Sequence, residues 1–517
     1  MNVEVTTLAK PKRKDVLATH TAAVEEAEVQ LDTEFFHSAS GETFASDKIN
    51  GHVETWAIKS QEFKKILRNR WWKAGRGAMP NSVLTDFINE FDARAQFDGP
   101  ERRVFLRVGT SATDEITDVY IDLCNEQWEV VHINANGWSV VNDAPVRFIR
   151  RQGMLPLPIP ITTEDGLQKL DRLFAHLDAD GQALCKCFLL GCLNPRGPYP
   201  LLLIAGEQGT GKSTVSRIIR ALIDPSLAPT TMAPSAERDL QIAASKSWLQ
   251  AYENISKINQ SNSDALCRLA TGGGLRTRKL YTDDEEKIFN TMRPILINSV
   301  DDALISSGDL ADRSLVVHSA SIPDNERKTE AAILHDFESA KAEVFGALCS
   351  AVSVALANQN TVNVSELPRM ADFAKWCIAG ETGLGLQPGA FLQAYNRTRQ
   401  TVALDALEAS SLYAPFRRFV ETRDNQNFLG KDSVWRGDMT QLLAALSVGA
   451  DPRNETRELP RNTRDLRAQL VRMAPLLGKT GITVKFLGHN STTRRREVEI
   501  KRPAQLVTGS HDTRRRA

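Results

Sequence analysis

The chain has 517 residues, of which 42% are hydrophobic and 25% charged, a composition typical of a soluble globular protein with about three or four domains. Lys and Arg together number 64, as do Asp and Glu, so the overall charge points to no class of partner. Residues 451–517 differ, because 16 basic side chains there outnumber 7 acidic ones and such an excess attracts polyanions. No run of about 20 apolar residues is present, and no apolar stretch opens the sequence. We therefore expect a cytoplasmic protein without a membrane span.

Composition and periodicity divide the chain into six segments. The predicted segments are a flexible N-terminal lead at 1–40, an N-terminal α+β domain at 41–154, an α/β domain at 155–358, a helical connector at 359–429, a compact helix–helix–hairpin unit at 430–502 and a basic tail at 503–517. The Pro-rich stretch Leu155–Pro160 predicts a stiff, extended linker at the start of the α/β domain. Strands and helices alternate in that domain, which favours a parallel sheet.

A phosphate-binding loop is the strongest signal in the sequence. The apolar run Leu201–Ala205 predicts a buried parallel strand, and it leads into a segment at 206–213 that matches GxxxxGK[ST] fully. Helix-forming residues follow, so the loop lies at a helix N-terminus, where backbone N–H groups bind phosphate. We expect ATP and Mg²⁺ here, with Lys212 on the β- and γ-phosphates and Ser213 on the metal. The expected nucleotide-binding residues are Gly206, Glu207, Gln208, Gly209, Thr210, Gly211, Lys212, Ser213 and Thr214.

Hydrolysis needs further groups at the ends of neighbouring strands. Glu253 and Asn254 follow the strand-like Ser247–Tyr252, and the acid would join the Mg²⁺ shell, although a surface acid after an ordinary strand has the same pattern. Asn298 ends a second apolar strand and could hold the attacking water, or act only as a turn residue. Arg313 precedes a closing strand, as an arginine finger from a neighbouring subunit would, or it pairs with a nearby aspartate.

These motifs, in this order and spacing, resemble superfamily 3 helicases, the AAA+-type motors of small DNA viruses, phages and plasmids. More closely, residues from about 40 to 502 resemble prophage proteins related to the phage and poxvirus primase-helicase family. The resemblance implies Walker A at 206–213, a degenerate Walker B at 252–254, the sensor Asn298 and the arginine finger Arg313. It also implies a ring, most simply a hexamer. The Walker B segment departs from the usual Asp followed by Asp or Glu, which leaves the catalytic base open.

The same resemblance places a β-hairpin between Walker B and the sensor strand, pointing into the channel of the ring. Its basic residues Arg276, Arg278 and Lys279 are candidates for gripping single-stranded DNA, or they belong to a charged, solvated hairpin. The turn at 283–286 is acidic, which is unusual for a tip that contacts DNA.

The C-terminal unit resembles a winged helix that would bind duplex DNA. We predict a helix from Trp435 through Leu446, a second helix at Thr463–Leu477 and two strands at 482–487 and 494–500. In such domains the second helix enters the major groove and the wing contacts phosphate. The candidate DNA-binding residues are Arg464 and Arg467 on the helix and Arg494, Arg495 and Arg496 on the wing. A structural domain with a charged surface is the alternative.

In the N-terminal domain, basic residues alternate with aromatic ones at 64–73. Such a pattern suits stacking of single-stranded bases, while a helix that uses Trp71 and Trp72 for its core is equally compatible. No carboxylate cluster of the kind a primase needs is evident. We therefore predict an ATP-dependent DNA helicase of a mobile element. A nucleotide-switched initiator or defence ATPase that does not unwind, and a scaffolding ATP binder, remain as alternatives.

Overall fold

A computed structural model describes most of the chain. The described residues are 33–234, 236–255, 258–273, 275–278, 286–289, 291–299, 308–323, 325, 327–364, 367–408, 410–421, 434–448, 459–489 and 496–502. Residues 1–32 of the predicted flexible lead and the predicted basic tail at 503–517 lie outside these residues.

The first unit packs two helices on a three-stranded antiparallel sheet. Its elements are β1 (Thr33–His37), β2 (Thr43–Ile49), β3 (His52–Ala57), α1 (Gln61–Lys73) and α2 (Asn81–Phe97). The sequence placed β1 in a flexible lead, but the structure pairs it with β2. The physical reason is aromatic packing, since Phe35 stacks on Phe91 and the fully buried Phe36 stacks on Phe44.

A second sheet, from residues predicted to belong to the same domain, packs elsewhere. Its four antiparallel strands are β5 (Val108–Gly109), β6 (Asp118–Asp122), β7 (Val130–Asn134) and β8 (Gly137–Val141), with a separate short pair, β4 (Val104–Phe105) and β9 (Arg147–Phe148). The apolar face of the four-stranded sheet shares one hydrophobic core with the central α/β unit. Residues 41–154 thus contribute to the core of the central unit as well as to smaller clusters of their own, because the second sheet covers a helix of the central unit.

The central unit is built around four parallel strands. In sheet order these are β11 (Gln250–Tyr252), β14 (Ile295–Ser299), β10 (Leu201–Ala205) and β15 (Ser314–His318). All five residues of β10 are buried, as its continuous apolar sequence predicted. Between the strands lie α5 (Lys212–Ile223), α6 (Glu237–Ala244), α7 (Gln260–Thr271), α8 (Gly308–Asp312) and the predicted hairpin, β12 (Leu275–Arg278) with β13 (Glu286–Phe289).

Helices enclose this sheet and tie the second sheet to it. They are α3 (Gly166–Leu173), α4 (Ala179–Cys192), α9 (Glu330–Asn358), α10 (Ala371–Gly380), a 3₁₀ turn (Thr382–Leu384) and α11 (Ala390–Glu408). The next helix, α12 (Tyr413–Glu421), packs in the core of the C-terminal unit instead. Trp138 Nε1 in β8 donates to Ser350 Oγ in α9 at 3.0 Å, and Ser353 Oγ donates to the Asn134 carbonyl at 2.7 Å. By length and composition alone α9 could cross a membrane, but it is mostly buried as a core helix among the described residues.

The C-terminal unit has a core of its own. It comprises β16 (Val434–Asp438), α13 (Met439–Ser447), α14 (Thr463–Lys479), β17 (Thr483–His489) and β18 (Arg496–Lys501), with β18 between the other two strands. The first helix was predicted to begin at Trp435, yet this residue lies in β16 opposite Ile500. The helix begins after Asp438, whose carboxylate accepts from the N–H groups of Thr440 and Gln441 in a capping box.

Candidate nucleotide-binding site

The phosphate loop lies between β10 and α5, and its backbone depends on glycine. Gly206, Gly209 and Gly211 have φ values of 150°, 84° and 82°, which L side chains rarely adopt. A Cβ at Gly206 would lie 2.4 Å from the Ser319 carbonyl oxygen, so space also excludes a side chain there. The loop therefore brings its N–H groups to the start of α5 as a phosphate site requires.

Lys212 is the first residue of α5 and is only 8% exposed. Its ammonium group donates to the Gly206 carbonyl at 2.8 Å and to the Glu207 carbonyl, and it lies 3.4 Å from Thr210 Oγ1. Thr210 is in turn fixed by Ser319, whose hydroxyl donates to the Thr210 carbonyl at 2.6 Å. The loop thus wraps around one buried cation, which places positive charge where phosphate oxygens would bind.

A cleft of about 1030 Å³ opens in front of the loop, lined by all residues from Gln208 to Thr214. Six basic side chains line it: Lys169, Arg172, Lys212, Arg217, Arg327 and Lys328. Some of them are neutralised, since Arg217 pairs with Glu330 and Lys328 lies 3.4 Å from Asp336. The excess of cations suits a polyanionic ligand such as a nucleoside triphosphate.

His176 adds an unsatisfied polar atom to the same cleft. Its Nε2 is buried without a hydrogen-bond partner in the part of the chain that the structure describes, and a Cβ on Gly211 would lie 3.1 Å from it. Burial lowers the pKa of the His176 imidazole, which favours the neutral ring at pH 7. A neutral imidazole beside the loop can accept or donate one hydrogen bond to a bound nucleotide, so the residues present fit such a group.

Asn298, at the carboxyl end of β14, links the loop helix to the end of β11. It is 1% exposed, its Oδ1 accepts from the Asn254 backbone N–H at 2.9 Å, and its Nδ2 lies 3.4 Å from Ser216 Oγ on α5. Asn254 has φ of 55°, a left-handed conformation, and it lines the cleft. The predicted sensor amide is therefore held at both ends beside the phosphate loop.

Glu253 occupies a different position from its neighbour. It lines a smaller cleft of about 230 Å³ with apolar residues such as Leu240 and Leu266, and Asn254 borders both clefts. The Glu253 backbone N–H donates to the Thr231 carbonyl at 3.0 Å, which fixes the chain but not the carboxylate. The structure thus brings Asn254 to the phosphate-loop cleft, whereas Glu253 is not among the residues that line it.

Arg313 lies at the opposite edge of the sheet. Its carbonyl accepts from the N–H of Leu201, the first residue of β10, whereas the phosphate loop follows the last residue of that strand. Five strand residues at about 3.3 Å each separate the two edges by roughly 16 Å. The neighbouring Asp312 accepts from Arg399 and from Lys479, both at 2.7 Å, and also lies 3.8 Å from Arg369.

The predicted DNA-binding residues are only partly described. Arg464, Arg467 and Arg496 line a groove of about 270 Å³ between α14 and the sheet of the C-terminal unit. The Arg467 guanidinium lies 5.6 Å from the centroid of the Phe486 ring, in cation–π geometry. Arg276 and Arg278 fall on β12, of which only the backbone is described, and Lys279, Arg494 and Arg495 lie outside the described residues.

Comparison with known proteins places these features in a family. Residues 167–405 match the family described as actinomycete integrative conjugative element replication protein, and residues 417–513 match the C-terminal domain of the same family. The chain is similar to this family over both stretches. The predicted role in replicating a mobile element is thereby confirmed. The first match contains every predicted nucleotide-site residue from Gly206 to Arg313.

Solved structures that match the chain include helicases, at low identity and low TM-score. One is described as an active helicase, Cch of SCCmec type IV, with 11% identity, a TM-score of 0.42 and coverage of 92% of this chain and 94% of that chain. Another is the C-terminal region of NrS-1, with 12% identity, a TM-score of 0.40 and coverage of 94% and 99%. The helicase of JCV is 10% identical, with a TM-score of 0.22 and coverage of 41% and 59%. No curated protein matches the sequence.

Two groups at the site of this replication protein escaped the sequence analysis. His176 reaches the loop from the turn between α3 and α4, about 30 residues upstream, where no motif marks it. Arg327 lines the cleft from the segment after β15, and its Nε donates to the Ile322 carbonyl at 3.1 Å. The positions of His176 and Arg327 depend on packing between segments that are distant in sequence. The phosphate loop is contiguous, so its motif alone predicted its residues.

Proposed function

We propose that this replication protein is an ATP-driven DNA motor of the superfamily 3 type, acting in the cytoplasm. One observation carries the proposal, namely the glycine-dependent loop that wraps around Lys212 at the start of α5, facing a basic cleft of about 1030 Å³. That arrangement suits the β- and γ-phosphates of ATP. The family match supplies the replication context.

Different residues of the loop would bind different parts of the nucleotide and its metal ion. Lys212 would contact the β- and γ-phosphates, backbone N–H groups from Gln208 to Thr214 would surround the phosphate oxygens, and the Ser213 hydroxyl would hold Mg²⁺. Mg²⁺ would neutralise the charge that develops on the phosphates during hydrolysis. His176 would add a hydrogen bond from the far side of Gly211.

The attacking water would be positioned from the strand ends. Asn298 is suited to this because its amide is fixed by Asn254 and Ser216, which costs no reorganisation when the reaction occurs. Glu253 remains the proposed acid for the metal shell. Since it borders the smaller cleft, this role requires its carboxylate to turn toward the loop when nucleotide binds.

Arg313 would act on the nucleotide of a neighbouring subunit. Its position at the amino edge of the sheet, roughly 16 Å from the phosphate loop of its own chain, favours action in trans. A homo-oligomeric ring brings the amino edge of one subunit to the loop of the next. By resemblance to superfamily 3 helicases we propose a hexamer, with the β12–β13 hairpin directed at single-stranded DNA in the channel.

The C-terminal unit would bind duplex DNA as a winged helix. Two helices and a three-stranded sheet are present, and Arg464, Arg467 and Arg496 meet at one groove, which supports phosphate contact there. A second function deserves a test, namely a nucleotide-switched DNA-binding initiator without unwinding. The position of Glu253 outside the lining of the main cleft favours this alternative.

The deciding experiment measures ATP hydrolysis by the full chain with and without single-stranded DNA, followed by displacement of a labelled strand. We expect hydrolysis that DNA stimulates, and its loss in Lys212→Ala, because the buried ammonium is removed from the loop. Lys246→Ala serves as the control, since this lysine is exposed and lies outside the cleft. Equal turnover in both variants would refute the proposed site. Hydrolysis without strand displacement would favour the initiator.

A further inference from the structure

The two adjacent tryptophans at the end of α1 have separate environments. Trp71 packs against the core of the first unit, with its ring edge-on to Phe87 at 6.3 Å. The Arg76 guanidinium covers the Trp71 ring at 4.9 Å from its centroid. Trp72 is 67% exposed, and nothing covers it in the part of the chain that the structure describes. Only one of the two side chains is therefore explained by the stability of the fold.

Basic side chains share the exposed face with Trp72. Lys65, Arg68 and Trp72 follow each other at intervals of three and four residues, which aligns them on one side of α1. Lys73 adjoins this stripe at the end of the helix. Residues 59–76 contain seven basic side chains and one acidic side chain, so the surroundings of the exposed ring are strongly positive.

Ion pairing within the unit uses only part of this charge. Lys59 lies 2.8 Å from Asp92, and Arg70 bonds to Asp47. Across the described residues, by contrast, Lys65 and Lys73 have no acidic partner, and Arg68 bonds only to the neutral amide of Asn81 at 2.8 Å. The positive charges that remain to bind a ligand are therefore those of Lys65, Arg68 and Lys73, on either side of Trp72.

We propose that Lys65, Arg68, Trp72 and Lys73 form a binding site for single-stranded DNA. A base would stack on the Trp72 ring, and the three cations would contact phosphates on both sides of it. The stripe from Lys65 to Trp72 is about 10 Å long, the length of a few nucleotides. Stacking requires an unpaired base, so the site would favour single strands over duplex.

This site lies in a unit outside both family matches, and it is independent of the proposed motor. It would bind a single DNA strand beside the proposed oligomer without ATP hydrolysis. A merely solvated helix face would explain the cations and the single exposed ring separately, whereas a single-strand site uses the ring and the cations that flank it together. An acidic protein surface would be drawn to the charges, yet would gain less from an isolated ring.

The test measures binding of the full chain to a labelled oligothymidine of about 16 nucleotides, the upper end of a single-strand site, without nucleotide. We expect Trp72→Ala to weaken binding roughly 5- to 150-fold, the equivalent of one lost stacking contact. Trp72→Phe should keep most of the affinity, because it keeps an aromatic face. Phe97→Ala is the matched control, since Phe97 is an aromatic residue of the same unit that is 84% exposed.

Charge and duplex measurements complete the test. Replacing Lys65 and Arg68 together by Gln should make the slope of log affinity against log salt concentration shallower. The change should be about 0.7 per lost phosphate contact, up to about 1.4 for both. Affinity for a duplex should not change in Trp72→Ala. Lys212→Ala should bind the oligothymidine as wild type does, so a failed motor cannot be confused with a failed site. Equal affinities for Trp72→Ala, Phe97→Ala and wild type would overturn the proposal, as would equal losses for single strand and duplex.

Discussion

The two edges of the central parallel sheet are organised in opposite ways. At the carboxyl edge, Lys212 is satisfied by groups from its own loop, and Asn298 joins the loop helix to the end of the next strand. At the amino edge, Asp312 binds side chains that come from three later parts of the chain, at 369, 399 and 479. The contacts of the carboxyl edge stay within the α/β unit, and we call it the closed edge. The contacts of the amino edge join the α/β unit to the rest of the molecule, and we call it the connected edge.

Under the proposed function, the difference follows from what each edge would have to do. A phosphate loop must be rigid before ligand arrives, so its contacts come from its own residues and from the surrounding α/β unit, and its glycines lie within six residues of one another. An edge that presents an arginine to another subunit must be placed relative to other units, so its neighbours come from far along the chain. If hydrolysis occurs between subunits, the closed edge of one chain meets the connected edge of the next.

Among the changes that test the different roles of the two edges, removal of the Arg313 side chain should have the largest effect. We expect Arg313→Ala to bind ATP nearly as wild type does and to hydrolyse it about 10³–10⁵-fold more slowly, because an arginine finger stabilises charge only in the transition state. The measurements are nucleotide affinity and single-turnover hydrolysis of the purified variant.

Mixing subunits makes this prediction sharper. Arg313→Ala subunits combined with Lys212→Ala subunits should recover some activity, because some mixed interfaces contain an intact loop and an intact arginine. No recovery, in mixtures that still assemble, would place the action of Arg313 within its own chain and would remove the proposed division between the two edges.

Asn298→Ala should give an intermediate effect at the closed edge. We expect hydrolysis to fall about 10²–10³-fold, as it does when a preorganised polar group is removed from a reacting centre. Ser299→Ala is the matched control, since Ser299 is a buried polar residue on the same strand whose hydroxyl donates to the Ile255 carbonyl. Comparable losses in both variants, scaled to the folded fraction, would indicate a structural role for Asn298.

The sequence predicted the closed edge far better than the connected one. The strand, loop and helix from Leu201 to Ile223 are contiguous, so spacing alone was sufficient. Arg107 was missed, although it is fully buried and bonds to Asp224 at 3.1 Å and to the Leu155 carbonyl at 3.0 Å. These partners are 117 and 48 residues away, and no local pattern distinguishes such an arginine from a surface one.

Local patterns also failed where packing overrode them. Trp435 was predicted to be helical, but it pairs with Ile500 in β16, and the capping box at Asp438 starts the helix only after this strand. The pair Trp71–Trp72 could not be divided between core and surface from sequence, because both possibilities place aromatic residues on a basic helix. Only the position of α2 shows that Trp71 faces Phe87 and Trp72 faces solvent.

The smallest effect is expected at the ion pair that joins the C-terminal unit to the connected edge. Burial alone would raise the pKa of the Asp312 carboxyl, but Lys479 and Arg399 outweigh it and hold that pKa below its ordinary value of 3.8. A depressed pKa in the folded state stabilises the protein above pH 4, and this stabilisation is lost as the pH falls through the folded-state pKa. Lys479→Ala should therefore lower the free energy of unfolding by about 1 kcal/mol at pH 7.

The deficit should shrink as Asp312 is protonated, because a neutral carboxyl no longer attracts the ammonium. Urea unfolding of wild type and Lys479→Ala at pH 7, and at the lowest pH at which both remain folded, measures this change. Lys485→Ala is the control, since this lysine of β17 is exposed. A deficit of the same size at both pH values would show that Lys479 stabilises the junction by packing its methylene chain. The connected edge would then depend on shape more than on charge, and its contrast with the cation-centred closed edge would be stronger still.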